Sequence, residues 1–205
     1  MSILINLSHA QTTLKKQPLE RKKPTYTYDI SYAEDMAKLN QLAEGHDLLC
    51  WAYSATMLFS WRYMASYPVD YITDWATKNS QNQIDYNLMY KQNKGIPWKY
   101  IGDFGNAMGW RTIISSPGSV GLYDLLYYKG PLFFAHNPNP ADQSGNGHLM
   151  VIIGIKSNDL KNNDNTWLEY FDPWGGKHDY MSFNEYATKY TSLRGPAYYL
   201  FYYPE

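Results

Sequence analysis

Apolar residues are most continuous between Leu48 and Ser66. The run LLCWAYSATMLFSWRYMAS contains no Pro or Gly and is apolar on nearly every side of a helical projection. A helix that is apolar all round is a buried helix. Asp47 directly precedes the run and is a suitable N-cap. The pattern therefore predicts a buried helix with Cys50 in its first turn.

Further helices are predicted around this one. The segment SYAEDMAKLNQLAEG favours a short helix that ends at Gly45. Helices are also expected at 71–79 and 98–108, with a polar link rich in Asn and Gln between them. Ser119 is a plausible cap for a short helix, VGLYDLLYY, which ends at Gly130.

The pattern changes after Gly130. Four runs favour strands separated by links rich in turn residues: PLFFAH, HLMVIIGI, TWLEYFD and AYYLFYY. RTII indicates one short strand earlier, and SFNEYATKY one helical insertion. The order predicts an α+β fold with an N-terminal helical half and a C-terminal antiparallel sheet half. Its natural site is the cleft where the halves meet.

Chain length, net charge and the length of the apolar runs narrow the class of protein. The chain has 205 residues, which suits one domain, here taken as 31–205 after an extended or flexible N-terminal arm at 1–30. Its net charge of −1 does not favour binding to nucleic acid or to an anionic membrane. No run reaches the ~20 apolar residues that span a bilayer. No Sec-type signal is evident, so we expect cytoplasmic residence or export by a route without that signal.

Cys50 is the only cysteine, so the fold contains no internal disulfide. A thiolate is favoured at a helix N-terminus by the partial positive charge and free N–H groups there. Such a position suits a nucleophile, although a lone buried cysteine is more often inert. The choice depends on whether a base lies nearby.

His148 is the best candidate for that base. It opens the run HLMVIIGI, while Asp172 closes TWLEYFD, and the loop between these runs is centred near residue 160, the midpoint of 148 and 172. An antiparallel hairpin with this register sets His148 directly across from Asp172, where a carboxylate can orient the ring. His136 is the main rival. A solvated hairpin end is the plainer alternative, and no CxxC or HxxxH spacing indicates a metal site.

Three elements in order resemble the papain-like cysteine peptidases: CWA at a helix start, GPLFF followed by GHLMVIIGI, and YFDPWGG. The chain is most similar to the short bacterial branch, which includes a type III effector protease of plant pathogens and papain-fold toxin domains. The resemblance implies that Cys50 is the nucleophile, His148 the general base and later acid, and Asp172 the residue that orients it. It also implies an oxyanion donor a few residues before the cysteine, for which Gln41 and His46 are the candidates. It requires no metal and no cofactor.

The resemblance implies cleavage of peptide or isopeptide bonds through a thioacyl-enzyme. A role as a secreted effector or toxin is expected by analogy, with a protein substrate and a cognate immunity or inhibitor protein as partners. The same three residues would also serve a peptidoglycan amidase, a deamidase or a transglutaminase-like acyl transferase. A non-catalytic binding module with a degenerate cleft is the alternative from outside the enzymes.

Overall fold

The computed structural model describes residues 26–37, 48–113, 117–136, 147–187 and 198–204. The helices within these ranges are α1 (Ala33–Ala37), α2 (Cys50–Tyr63), α3 (Val69–Asn79), α4 (Tyr86–Lys91), α5 (Ile101–Ala107), α6 (Gly118–Lys129) and α7 (Phe183–Tyr186). The strands are β1 (Tyr28–Ser31), β2 (Arg111–Ile113), β3 (Leu132–His136), β4 (His148–Ser157), β5 (Thr166–Asp172), β6 (Lys177–Ser182) and β7 (Tyr198–Tyr202). The predicted α+β class is confirmed.

All strand pairs in the described residues are antiparallel. The sheet runs in the order β2-β7-β3-β4-β5-β6, and β1 pairs with β4 outside this path. Strand β4 is long enough to pair β3 along its first half and β1 along its second half. It is therefore the strand around which the sheet is organised.

Helix α2 is buried along most of its length, as predicted. Its buried residues run from Cys50 to Ala52 and from Ser54 to Ser60. They form one apolar core with the α3–α5 region and with one set of β4 side chains, including Leu149 and Val151. The other β4 set, including Met150 and Ile152, packs into a second core with α6 and α7. The sheet therefore separates two cores, and α2 lies in the first.

The two helix caps predicted from the sequence are Asp47 and Ser119. Leu49 occupies the N-cap of α2, while Asp47 lies outside the described residues. The predicted cap at Ser119 is wrong, because α6 begins at Gly118 with Pro117 as its N-cap. The Ser119 hydroxyl instead bonds to the Leu160 carbonyl. The predicted end at Gly130 is confirmed, and its φ of 81° is one that glycine adopts without strain.

Three elements were not predicted. Strand β1 falls partly in the region assigned to the N-terminal arm, β6 is mostly exposed, and α4 lies in the link that was expected to be irregular. Each is short and has no strong apolar period. Pairing with β4 and β5 stabilises the two strands, and the Asp85 side chain caps α4 by accepting from the Leu88 N–H at 2.7 Å.

Candidate active site

Cys50 is placed by the start of the buried helix. It is the first residue of α2 and is 6% exposed. Its Sγ lies 3.9 Å from the carbonyl oxygen of Gly147, the residue before His148. A thiol at this end of a 14-residue helix lies in the partial positive charge of the unpaired N–H groups. The thiol therefore lies against the strand that carries the histidine.

Gly147 allows this close approach. A Cβ on Gly147 would lie 2.7 Å from the His136 carbonyl oxygen and 2.9 Å from the ring of Trp98. Real Cβ atoms do not come so close, so a larger residue would push β4 away from its neighbours. The glycine thus fixes the path by which the chain enters β4 and reaches the thiol.

His148 and Asp172 are in direct contact. The His148 Nε2 lies 3.0 Å from the Asp172 Oδ2, and the two side chains are 24% and 17% exposed. The second carboxylate oxygen, Oδ1, accepts from the backbone N–H of Trp174 at 2.9 Å. Both oxygens of Asp172 are therefore engaged by donors, which fixes the plane of the carboxylate.

The predicted register between these strands is wrong by two residues. Val151 lies opposite Phe171 and Ile152 opposite Tyr170, and continuing this register sets position 150, not His148, opposite Asp172. His148 therefore reaches Asp172 diagonally, along the same face of the sheet. Such diagonal neighbours are within reach of long side chains.

A β-bulge makes this contact possible. The hairpin begins with Ser157 opposite Thr166, and the register shifts by one between Ile152 and Gly154. Without the extra residue, the side chains of His148 and Asp172 would point to opposite faces, because neighbouring residues alternate across a strand. The bulge thus turns the first half of β4 so that the histidine meets the carboxylate.

The pKa of His148 is raised from 6.5 to about 10. Burial is the largest effect and lowers the pKa, but hydrogen bonds from the ring to Asp172 and to Cys50 outweigh it, with attraction to both groups adding to the rise. Since Nε2 faces Asp172, Nδ1 is the nitrogen left for the thiol. The arrangement favours an imidazolium between two groups that can both be anionic.

His136, the rival base, has a different place. It pairs with His148 across β3 and β4, and its Nδ1 lies 3.4 Å from the His148 carbonyl oxygen. The two rings are 6.2 Å apart at their centroids. The His136 ring therefore lies edge-on to that of His148 and its nitrogen faces the His148 backbone, whereas Asp172 contacts a nitrogen of the His148 ring. The oxyanion candidates Gln41 and His46 lie outside the described residues.

Trp174 was not singled out from the sequence. Its ring is 66% exposed and lies edge-on to His148, with centroids 6.1 Å apart. The turn after Asp172 presents it, with Gly175 and Gly176 at φ values of 73° and 62°. The signal was the DPWGG segment, in which a proline and two glycines force a tight turn beside the candidate carboxylate.

Within the described ranges, no group of three His, Cys, Asp or Glu side chains is arranged to hold a metal ion. None of the described helices is both long enough and apolar enough to cross a membrane.

The fold resembles those of solved structures. A solved structure from work on the mite allergens Blo t 1 and Der p 1 superposes with a TM-score of 0.55, at 11% identity over 93% of this chain and 75% of that one. A structure of digestive procathepsin L 3 from Tenebrio molitor larval midgut gives a TM-score of 0.48 at 14% identity, over 94% and 75%. The first likeness supports a papain-like fold. No curated protein matches the sequence.

The family of papain-like cysteine protease AvrRpt2 matches residues 30–191, which include Cys50, His148 and Asp172. Because this match covers most of the chain, the protein belongs to the papain-like cysteine protease AvrRpt2 family.

Proposed function

We propose that Cys50, His148 and Asp172 are the catalytic triad of this cysteine protease. The observation that carries the proposal is the position of His148: its Nε2 lies 3.0 Å from the Asp172 Oδ2, and the Cys50 Sγ lies 3.9 Å from the carbonyl oxygen of the preceding residue, Gly147. A base held between a nucleophile and an orienting carboxylate is the arrangement that nucleophilic catalysis requires.

The reaction follows from this arrangement. The Cys50 thiolate attacks the carbonyl carbon of the scissile bond, forming a C–S bond, while the imidazolium of His148 gives its Nδ1 proton to the leaving amine as the C–N bond breaks. Water then attacks the thioester, and His148 accepts a proton from it. The C–S bond breaks and the thiolate is restored. Asp172 keeps Nδ1 directed at the sulfur throughout.

The oxyanion formed during attack needs a donor. The backbone N–H groups at the start of α2 are one source. Gln41 and His46 remain the proposed side-chain donors. Replacing each with Ala in turn should lower kcat about 10²-fold for the residue that donates and leave it nearly unchanged for the other.

The test of the triad uses the single thiol of the chain. Iodoacetamide alkylation of Cys50 is followed by intact mass from acid to alkaline pH, in the native protein and in His148→Ala. We expect the native protein to react well below pH ~7 and the variant to show a midpoint near ~8.5, the value of a free thiol. Identical slow, alkaline profiles would overturn the triad.

The same protein then separates peptide hydrolysis from other uses of the triad. Incubation with a mixed protein substrate should generate shortened chains with new N-termini. A deamidase would raise the mass of a substrate by about one dalton without shortening it, and an acyl transferase would add the acceptor amine to it. A product of either kind without cleavage contradicts peptide hydrolysis.

We further propose that the protein is a secreted effector or toxin that acts on a protein of a recipient cell. Membership of the family supports this role. A cognate immunity or inhibitor protein would then act by covering Cys50. Expression of the native chain inside candidate recipient cells should be harmful, and Cys50→Ala should abolish the harm. Equal harm from both would contradict a role that depends on proteolysis.

A further inference from the structure

A second polar contact joins α2 to β4, one helical turn after Cys50. The Ser54 hydroxyl donates to the Leu149 carbonyl oxygen at 3.0 Å, and both residues are fully buried. Ser54 follows Cys50 by four positions and so lies on the same face of the helix. Leu149 directly follows His148. One hydrogen bond therefore links the neighbourhood of the nucleophile to that of its base.

This bond differs in kind from the contacts around it. Around it, α2 and β4 contribute apolar side chains to one core, among them Ala55, Leu58 and Val151. Apolar burial is non-directional, so it resists separation of the two elements more than small sliding or rotation. A hydrogen bond weakens steeply when its distance or angle changes. The Ser54 bond therefore opposes the movements that apolar packing tolerates.

The bond also acts close to the chemistry. Four residues of helix rise about 6 Å, so Ser54 restrains α2 within one turn of the Cys50 backbone. On the sheet side, Leu149 is the next residue after His148, and its carbonyl belongs to the same stretch of β4. A small shift of α2 at this point moves the thiol relative to the imidazole by a similar amount.

We propose that Ser54 is a positioning residue that sets the separation between the Cys50 thiol and the His148 imidazole. The inference rests on the proposed triad. Ser54 is fully buried and does not face substrate, so it acts through the Cys50–His148 pair alone. Proton sharing between the two groups depends on this distance, and a misplacement on the order of 1 Å can cost about 10²-fold in rate.

A purely structural hydroxyl is the alternative, and α2 provides a matched control. Thr56 is also fully buried, and its hydroxyl donates to the Ala52 carbonyl oxygen at 2.8 Å. That bond stays within α2 and does not reach β4. Ser54→Ala and Thr56→Val each remove one buried hydroxyl bond from the same helix. Only the first removes a link between the helix and the histidine strand.

The experiment measures the pH profile of Cys50 alkylation by iodoacetamide in the native protein, Ser54→Ala, Thr56→Val and His148→Ala, with thermal unfolding recorded for each. We expect Ser54→Ala to react about tenfold more slowly below pH ~7, with its midpoint moved towards ~8.5. Thr56→Val should keep the native profile. Both should lose a similar, small amount of thermal stability, because each loses one buried hydrogen bond.

The outcomes distinguish failure of the positioning role of Ser54 from failure of the catalytic triad. If native protein and His148→Ala share one profile, the triad fails and the positioning role falls with it. If those two differ but Ser54→Ala matches the native profile, the triad stands and the positioning role is overturned. A shift of equal size in Thr56→Val would also overturn it, because the effect would then come from any loss within α2. The alkylating reagent reports on the pair without a known substrate.

Discussion

Two carboxylates of strand β5 each pair with a histidine of a neighbouring strand in the described residues, and one of these two pairs borders a thiol. The His148–Asp172 pair has an N–O distance of 3.0 Å, and the His178–Glu169 pair has one of 2.8 Å. Asp172 and Glu169 are three positions apart, so their side chains leave opposite faces of the strand. The pairs are alike in chemistry and in length. Their surroundings decide what each can do.

The Glu169 pair is enclosed by other polar groups. The carboxylate is 2% exposed and also accepts from the Tyr180 hydroxyl at 2.7 Å, with the Lys156 ammonium 3.8 Å away. Burial raises the pKa of Glu169, but the nearby Ser31 hydroxyl, the hydrogen bonds with Tyr180 and His178 and the attraction of Lys156 more than offset it, so the pKa is lowered. This carboxylate is held ionised within a network that, among the described residues, includes no thiol.

The Asp172 pair instead has the Cys50 thiol beside it. The nitrogen of His148 that does not face Asp172 is left for Cys50, and the second oxygen of the carboxylate accepts from the Trp174 N–H. A histidine–carboxylate pair therefore does not by itself indicate catalysis. The third group on the ring decides, and here it is the one cysteine of the chain.

Replacing each histidine with Ala should give the largest difference in cleavage rate between the two pairs. His148→Ala should lower cleavage of a mixed protein substrate about 10³-fold, because it deletes the general base. His178→Ala should leave the rate within about threefold, since the His178 ring binds Glu169, away from the thiol. The rates are measured by the appearance of new amino termini. A comparable loss of rate in His178→Ala would mean that the His178–Glu169 pair also acts in the reaction.

Replacing each carboxylate with its amide should give a smaller difference in activity between the two pairs. In Asp172→Asn, only one side-chain atom can accept a hydrogen bond, whereas both oxygens of Asp172 now accept, from His148 and from the Trp174 N–H. We expect kcat to fall roughly tenfold to 10²-fold and the alkaline limit of activity to move to lower pH. Glu169→Gln should mainly cost stability, about 1–3 kcal/mol. Full activity in Asp172→Asn would show that a neutral orienting residue suffices.

The two pairs should lose their stabilising effect on opposite sides of neutral pH. The pKa of His148 is raised from 6.5 to about 10, so its contribution is complete below about pH 6.5 and is lost as the pH rises through about 10. The pKa of Glu169 is lowered from 4.5, so its contribution is present above that pH and is lost as the pH falls through the lower, folded-state value.

Thermal unfolding from pH 3 to 11 tests this contrast in the native protein, His148→Ala and Glu169→Gln. His148→Ala should flatten the alkaline decline of the midpoint temperature, and Glu169→Gln should flatten the acid decline, each by ~4 °C. The opposite assignment of the two variants to the two limbs would contradict the directions given for the pKa values.

The smallest effect on kcat is expected at the exposed Trp174, with the exposed Trp167 as its control. Trp174 lies edge-on to His148, whereas Trp167, which is 43% exposed, lies on the face of β5 that carries Glu169. Trp174→Ala should lower kcat about threefold, because water gains access to the His148–Asp172 hydrogen bond. Trp167→Ala should leave kcat unchanged. Equal rates for native protein and Trp174→Ala would show that the ring does not protect the pair.

Local pattern was sufficient for the long elements. The apolar run around Cys50 predicted α2, and the strand runs predicted β3, β4 and β5, because each buries most of its side chains and so carries a strong apolar signal. The short elements β1, β6 and α4 carried no such signal. They form because neighbouring strands or a capping side chain satisfy their backbone groups.

The sequence by itself determined which chemical groups are present and in what order: one thiol at the start of a buried helix, a histidine opening a strand and an aspartate closing the next. Only the tertiary structure decided that these groups meet. The bulge at Ile153 sets the face on which His148 lies, and the register, offset by two residues, makes its contact with Asp172 diagonal. A bulge depends on how β4 pairs with its neighbouring strand, and an alternating pattern cannot report it, because β4 is apolar on both of its faces.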